Sequence, residues 1–229
     1  MKLLLTLILI IVNYCCFINA NKLFVNFVGS YSSNTCDGNP SGIGFSLAVG
    51  QCLPIEGVLS YVINDMPPTT NWFITMGGNG NSFTLKQYDS QDQWCKQDPI
   101  NTLQFDNFDT CVEQPAFINV NNSLLADTPV VYSKLTLSQN VPTYAPDSVI
   151  IGQYNTNTNV CTYNDQQFGV SYTSGTVIYN ENGISIHVLC NQVNQSMMFK
   201  CKESKCGETF IDTYCQMSGD VQIYCNSNN

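Results

Sequence analysis

The chain has 229 residues, 44% hydrophobic and only 11% charged, with eight basic residues against seventeen acids and a formal net charge of −9. Every basic residue is a lysine. Without arginine the chain lacks the planar fork that grips phosphate or carboxylate, and its acidity disfavours nucleic acid and anionic membrane surfaces.

Residues 1–20 read as a secretory leader. Lys2 supplies a basic start, Leu3 to Val12 is apolar apart from Thr6, and Ile18 and Ala20 suit positions −3 and −1 of a cleavage site before Asn21. The apolar run is too short to cross a bilayer and is followed by polar Asn13, so no transmembrane anchor is expected. Val221 to Asn229 lacks the apolar tail of a GPI signal. The expected location is secreted and extracellular, and losing Lys2 would take the charge from −9 to −10.

Beyond the leader, short β-branched or aromatic runs bounded by Gly, Asn, Asp or Pro predict strands. They fall at Phe24–Val28, Phe45–Val49, Val58–Ile63 and Ser82–Tyr88, then at Val130–Leu137, Ser148–Tyr154, Phe168–Tyr172, Thr176–Tyr179, Ile184–Leu189 and Ser196–Phe199. No stretch sustains a helical period. The expected fold is all-β and disulfide-stabilised, sandwich-like or barrel-like. Two hairpins are well specified. Trp72–Met76 turns at Gly77–Gly80 into Ser82–Tyr88, and Val177–Tyr179 turns at Asn180–Gly183 into Ile184–Leu189. Asn-Gly supplies the positive φ that tight turns need. The glycines at 77–80 lack the Lys-Ser/Thr ending of a phosphate loop.

Gly29-Ser-Tyr-Ser-Ser-Asn-Thr-Cys36 resembles Gly152-Gln-Tyr-Asn-Thr-Asn-Thr-Asn-Val-Cys161, each following an apolar strand. This points to two degenerate repeats: a cysteine-rich β region at 21–139, a linker at 140–147 interrupted by Pro142 and Pro146, and a second cysteine-rich β region at 148–229.

Ten cysteines follow the leader: Cys36, Cys52, Cys95, Cys111, Cys161, Cys190, Cys201, Cys206, Cys215 and Cys225. An even number in an oxidising compartment argues for disulfides, with connectivity left open. Cys36–Cys52 and Cys95–Cys111 are the tempting local pairs. Zinc is disfavoured because no Cys-x-x-Cys occurs and His187 is the sole histidine, and Cys201–Cys206 reads as a small tied loop. No metal or other cofactor is expected.

Asn121-Asn-Ser123 and Asn194-Gln-Ser196 are glycosylation sequons. A hydrolase triad needs a histidine base, but His187 shares the less apolar face of its strand with Ser185 and Leu189, and no Gly-x-Ser-x-Gly elbow exists. Asp89, Asp92 and Asp98 around Trp94, with Asp106 and Asp109, are the carboxylates from which a glycosidase pair could come. They read more simply as a solvated acidic loop near Cys95 and Cys111. Trp72, Trp94 and the tyrosines, beside abundant Asn and Gln, would suit a lectin-like sugar site, although aromatics also fill β cores.

The leader, the early aromatic strand, Gly29–Cys36 and the asparagine-rich, cysteine-spaced body resemble the small secreted cysteine-rich proteins of the counting-factor-associated type found in social amoebae. The resemblance spans most of the chain after the leader. It implies an extracellular protein found with a secreted complex that regulates the size of cell groups, and it brings no catalytic residues. The expected function is therefore non-catalytic extracellular protein binding, as an accessory component of a secreted signalling complex. A lectin-like carbohydrate-binding module is the alternative, and a secreted carboxylate-dependent glycosidase comes third.

Overall fold

The computed structural model describes residues 21–31, 33–54, 70–115, 117, 131–155, 161–181, 183–202, 205–211 and 221–226. Among these, the chain forms three antiparallel sheets and no helix, so none is long and apolar enough to cross a membrane. Seven strands make the large sheet, in the spatial order β15 (Val221–Asn226), β9 (Ser148–Tyr154), β10 (Gln166–Thr173), β2 (Ile43–Ala48), β1 (Leu23–Tyr31), β8 (Tyr132–Gln139) and β7 (Thr110–Glu113). One small sheet runs β3 (Cys52–Pro54), β4 (Asn71–Met76), β5 (Phe83–Tyr88), β6 (Asn101–Phe105). The other runs β11 (Thr176–Glu181), β12 (Ile184–Cys190), β13 (Ser196–Lys202), β14 (Lys205–Phe210). The sheets stack through a shared core and none closes on itself, so the sandwich-like expectation holds and the barrel does not. Both predicted hairpins are present, with Gly80 at φ +71° and Gly183 at φ +72°. The strand predicted at Val58–Ile63 lies outside the described residues.

Strand alternation decides the core. Val25 and Phe27 in β1, Phe45 and Leu47 in β2, Phe168 and Val170 in β10, and Ile151 in β9 occupy one face of the large sheet and are fully or almost fully buried. Onto this face the first small sheet brings Trp72, Ile74, Phe83 and Leu85, and the second brings Val188. Phe117 fills the centre, its ring 5.1 Å from Phe27, 4.7 Å from Phe45 and 5.1 Å from Trp72. Each such ring contributes roughly 1.5–3 kcal/mol through burial, with about 0.5–1.5 kcal/mol more per well-placed aromatic pair.

The large sheet reads alike from its centre outwards. On one side β2, β1 and β8 are neighbours, and on the other β10, β9 and β15. Each half interrupts this three-strand unit with a four-stranded sheet, β3–β6 after β2 and β11–β14 after β10. A local two-fold through the Phe45–Val170 pair exchanges Gly44 with Gly169 and Ser46 with Ser171. The two halves thus share one strand topology. The two regions meet along β2 and β10, where Leu47 pairs with Phe168 and Ile43 with Tyr172, and they fold around one hydrophobic cluster.

At its centre the opposite face of the large sheet is small and polar, with Phe24, Ile150 and Tyr154 flanking that centre, and it is buried where residues 140–147 cross it. Asn26 organises the crossing. Its Oδ1 accepts hydrogen bonds from Ser46 Oγ at 2.7 Å and the Thr143 amide at 3.1 Å, and its Nδ2 donates to Ser138 Oγ at 3.0 Å. Tyr144 and Ala145 are buried against the sheet, where Gln166 Nε2 donates to the Tyr144 hydroxyl. Gly169 leaves the space for that hydroxyl, since a Cβ there would overlap it.

Four disulfides join described residues: Cys36–Cys111, Cys52–Cys95, Cys190–Cys225 and Cys201–Cys206. Cys161 is also disulfide-bonded, and Cys215 lies outside the described residues. The local pairs Cys36–Cys52 and Cys95–Cys111 are therefore corrected to a nested pairing of the same four residues. The reason is spatial. The chain leaves the large sheet after β2, enters a separate sheet at β3 and returns to the large sheet only at β7, so sequence neighbours end up in different layers. Cys201–Cys206 is the small tied loop expected, a cross-strand pair in the β13–β14 hairpin with Cα atoms 4.0 Å apart.

Candidate functional site

The most prominent exposed group is Trp94, 74% accessible on the segment joining β5 to β6. Its support is built from local chemistry. The Asp92 amide donates to the Asp89 carbonyl at 3.0 Å, and the Cys95 amide to the Asp92 carbonyl at 3.1 Å, winding 89–95 into consecutive turns. The Asp92 carboxylate, almost wholly buried, accepts the Lys96 amide at 3.1 Å and the Gln97 amide at 2.8 Å. From beneath, Asn71 Nδ2 donates to the carbonyls of Asp89, Ser90 and Asp92 at 3.2, 3.3 and 2.9 Å. The Cys52–Cys95 bridge pins the far side of the loop to β3. Lys96 Nζ lies 5.9 Å from the Trp94 ring, within reach of a cation–π interaction.

This wiring reassigns the acidic cluster. Desolvation would raise the Asp92 pKa, but the amides of Gln97, Lys96 and Trp94 and the Lys96 charge outweigh it and hold the carboxyl below the usual range. Both of its oxygens are committed to backbone amides, so it caps the loop and does not face a substrate. Asp89 Oδ1 likewise accepts the Gln91 amide at 2.9 Å. Asp98, Asp106 and Asp109 are exposed.

His187 sits half-buried in β12 beside Ser185, with Nε2 2.9 Å from Ser185 Oγ. A triad requires a third group to orient the base. The cross-strand partners of His187 are Val177 and Phe199, neither of which can. The pair is thus a side-chain contact along a strand face.

The aromatic residues divide sharply. Trp72 and tyrosines 31, 88, 144, 154 and 172 are buried, and among the tryptophans and tyrosines whose side chains are described only Trp94 and Tyr163 are exposed large apolar groups. The aromatic content noted in the sequence is therefore mostly core. Asn194 is exposed in the turn between β12 and β13 with φ +65°, and Asn121 lies outside the described residues.

Sequence reading passed over one feature, the exposed lysines 200, 202 and 205. Lys202 pairs directly with Lys205 across the β13–β14 hairpin, and Lys200, two residues before Lys202, shares its face. The available signal was Lys-x-Lys-x-x-Lys, three of the chain's eight lysines within six residues.

The family model for counting factor-associated protein A/B/C matches residues 1–227. No curated protein and no solved structure matches.

Proposed function

The chain belongs to the counting factor-associated protein A/B/C family, and from that premise we propose that it is a secreted, non-catalytic accessory subunit that binds a protein partner through the Trp94 loop. The observation that carries this reading is a tryptophan exposed on a loop fixed by a disulfide, a buried carboxylate and a buried asparagine. A preorganised exposed Trp is the residue type that most often dominates an interface, because it buries much area while losing little side-chain freedom. The leader-like residues 1–20 and the disulfides support an extracellular location. In this reading Asn121 and Asn194 carry glycans.

The test is native size-exclusion of conditioned medium from cells expressing the wild type or Trp94→Ala, with mass spectrometry of co-eluting proteins. Wild type is expected in a large assembly. Loss of a central Trp weakens binding by roughly thirtyfold or more, about 2 kcal/mol, and should release the variant as a folded monomer. A variant that stays in the assembly refutes the Trp94 contact. A wild type that elutes alone and binds immobilised sugars through Trp94 replaces this reading with the lectin-like one.

A further inference from the structure

The lysine-bearing hairpin presents a second surface, whose recognition chemistry follows from its register. In β14 all six residues are exposed, and among the described residues no strand pairs with its outer edge. The parity of that edge is fixed. The Ile211 amide bonds inward to the Ser196 carbonyl at 3.0 Å, and Cys201 and Cys206 stand as close as a non-hydrogen-bonded pair. Residues 205, 207 and 209 therefore bond inward to β13, while the amides and carbonyls of Cys206, Glu208 and Phe210 point outward.

Side chains alternate along the same strand. Lys205 shares a face with Lys202 and Lys200, whereas Glu208 and Phe210, the latter 61% exposed, lie on the other face. Gly207 pairs with Lys200, and a Cβ built on it would meet only the Lys200 carbonyl oxygen, at 4.0 Å. A side chain arriving opposite Gly207 from outside can thus reach across it to the Lys200 ammonium. One arriving opposite Lys205 meets Lys205 and Lys202.

We infer that the β14 edge receives an extended, acidic segment of another protein as an added antiparallel strand. Its sequence order is apolar-x-x-acid-x-acid: the apolar residue opposite Phe210, and the two acids opposite Gly207 and Lys205. The outward amides and carbonyls supply the strand pairing and the three lysines the selectivity, the division of labour of strand addition. Lysines on an edge also deter pairing between like edges, which here discourages self-association. A second copy of this chain does not meet the requirement either, because no Asp/Glu-x-Asp/Glu occurs anywhere in its sequence. This surface is distinct from the Trp94 loop and does not depend on that contact.

The probe is the end-capped peptide Val-Thr-Thr-Glu-Thr-Glu-Thr, titrated into the ¹⁵N-labelled protein beside its Gln-for-Glu counterpart. Backbone amide shifts are expected at Cys206, Glu208 and Phe210. The Glu peptide should bind about tenfold more tightly at low salt, as two exposed ion pairs allow, with the gap closing as salt rises. In K200Q/K202Q/K205Q the two peptides should bind alike. The inference is overturned by equal binding of both peptides to the wild type, by shifts confined to other strands, or by no shift at about 2 mM peptide, a range in which weak strand addition remains detectable. It is equally overturned if the β14 amides respond to protein concentration alone, which would make the occupant a second copy.

Discussion

Breaking the outer of the two nested disulfides tests the layer arrangement of the first region most directly. Cys36–Cys111 closes 75 residues, and Cys52–Cys95, lying wholly inside it, closes 43. Closed alone, these loops would contribute about 4.5 and about 4.0 kcal/mol through the entropy they remove from the unfolded chain. Nesting changes the sum. With Cys52–Cys95 intact, the outer bridge closes an effective loop of only about 33 residues, worth about 3.7 kcal/mol. The variant C36S/C111S should therefore lose about 3.7 kcal/mol, lowering Tm by about 7–15 °C for a chain of this size. C52S/C95S should lose about 3.2 kcal/mol, and removing both bridges about 7.7 kcal/mol, more than the two single losses together. Equilibrium denaturation gives the energies, and thiol counting gives the connectivity. Each of the first two variants keeps one bridge of the pair and gains no free thiol. Under the alternative Cys36–Cys52 and Cys95–Cys111 pairing, either variant would break both bridges, expose two thiols and lose about 6 kcal/mol. Non-reducing digestion after lysine adds a third readout, since cuts at Lys86 and Lys96 separate Cys36 and Cys52 from both Cys95 and Cys111. A fragment 23–86 released free of the other two would refute the nested pairing and the layering inferred from it.

Two further perturbations address the buried polar face and the Trp94 loop. Gly169→Ala places a methyl group against the Tyr144 hydroxyl and Gln166 Nε2, so it should cost about 1–3 kcal/mol, and less in a Tyr144→Ala background. A double-mutant cycle by chemical denaturation checks this, and an unchanged cost would mean that 140–147 does not cross the sheet at Gly169. Asp92 has a folded pKa below its ordinary 3.8, so its contribution is complete above that value and is lost as pH falls through the lower folded value. Thermal melts from pH 6 to pH 2 should show less acid destabilisation in Asp92→Asn than in the wild type. Parallel curves would remove Asp92 as the cap of the loop.

Much of this architecture was legible because it depends on period and turn chemistry. Phe24–Val28, Phe45–Val49 and Ser148–Tyr154 are apolar runs between turn residues, and they became β1, β2 and β9. Asn-Gly at 182–183 marked its hairpin through the positive φ that glycine supplies. The strands that escaped notice are β3, β6, β7, β14 and β15. Asn101–Phe105 and Lys205–Phe210 are largely exposed edge strands whose partners, not their own side chains, make them strands. Cystine connectivity was illegible for a related reason, because spacing carries no information about which sheet a strand joins. The Trp94 loop was half visible. Its residues were all noted, but the Asp92 carbonyl is held from beneath by Asn71, 21 residues earlier in β4.

The shared strand topology of the two halves bears on why the two surfaces differ so much. Within the large sheet the halves are tightly constrained: Gly44 and Gly169 both lie where a Cβ would collide with neighbouring atoms, and Ser46 and Ser171 are both buried beside them. A substitution there is felt by both halves, because β2 and β10 are each other's partners. The inserted sheets carry no such mutual restraint, since each packs on the large sheet and not on its counterpart's edge. The first insert could accordingly build a disulfide-tied loop that displays Trp94, while the second concentrated three of the chain's lysines on one hairpin of an acidic protein. Two halves of like strand topology thus present two unlike surfaces from one shared core.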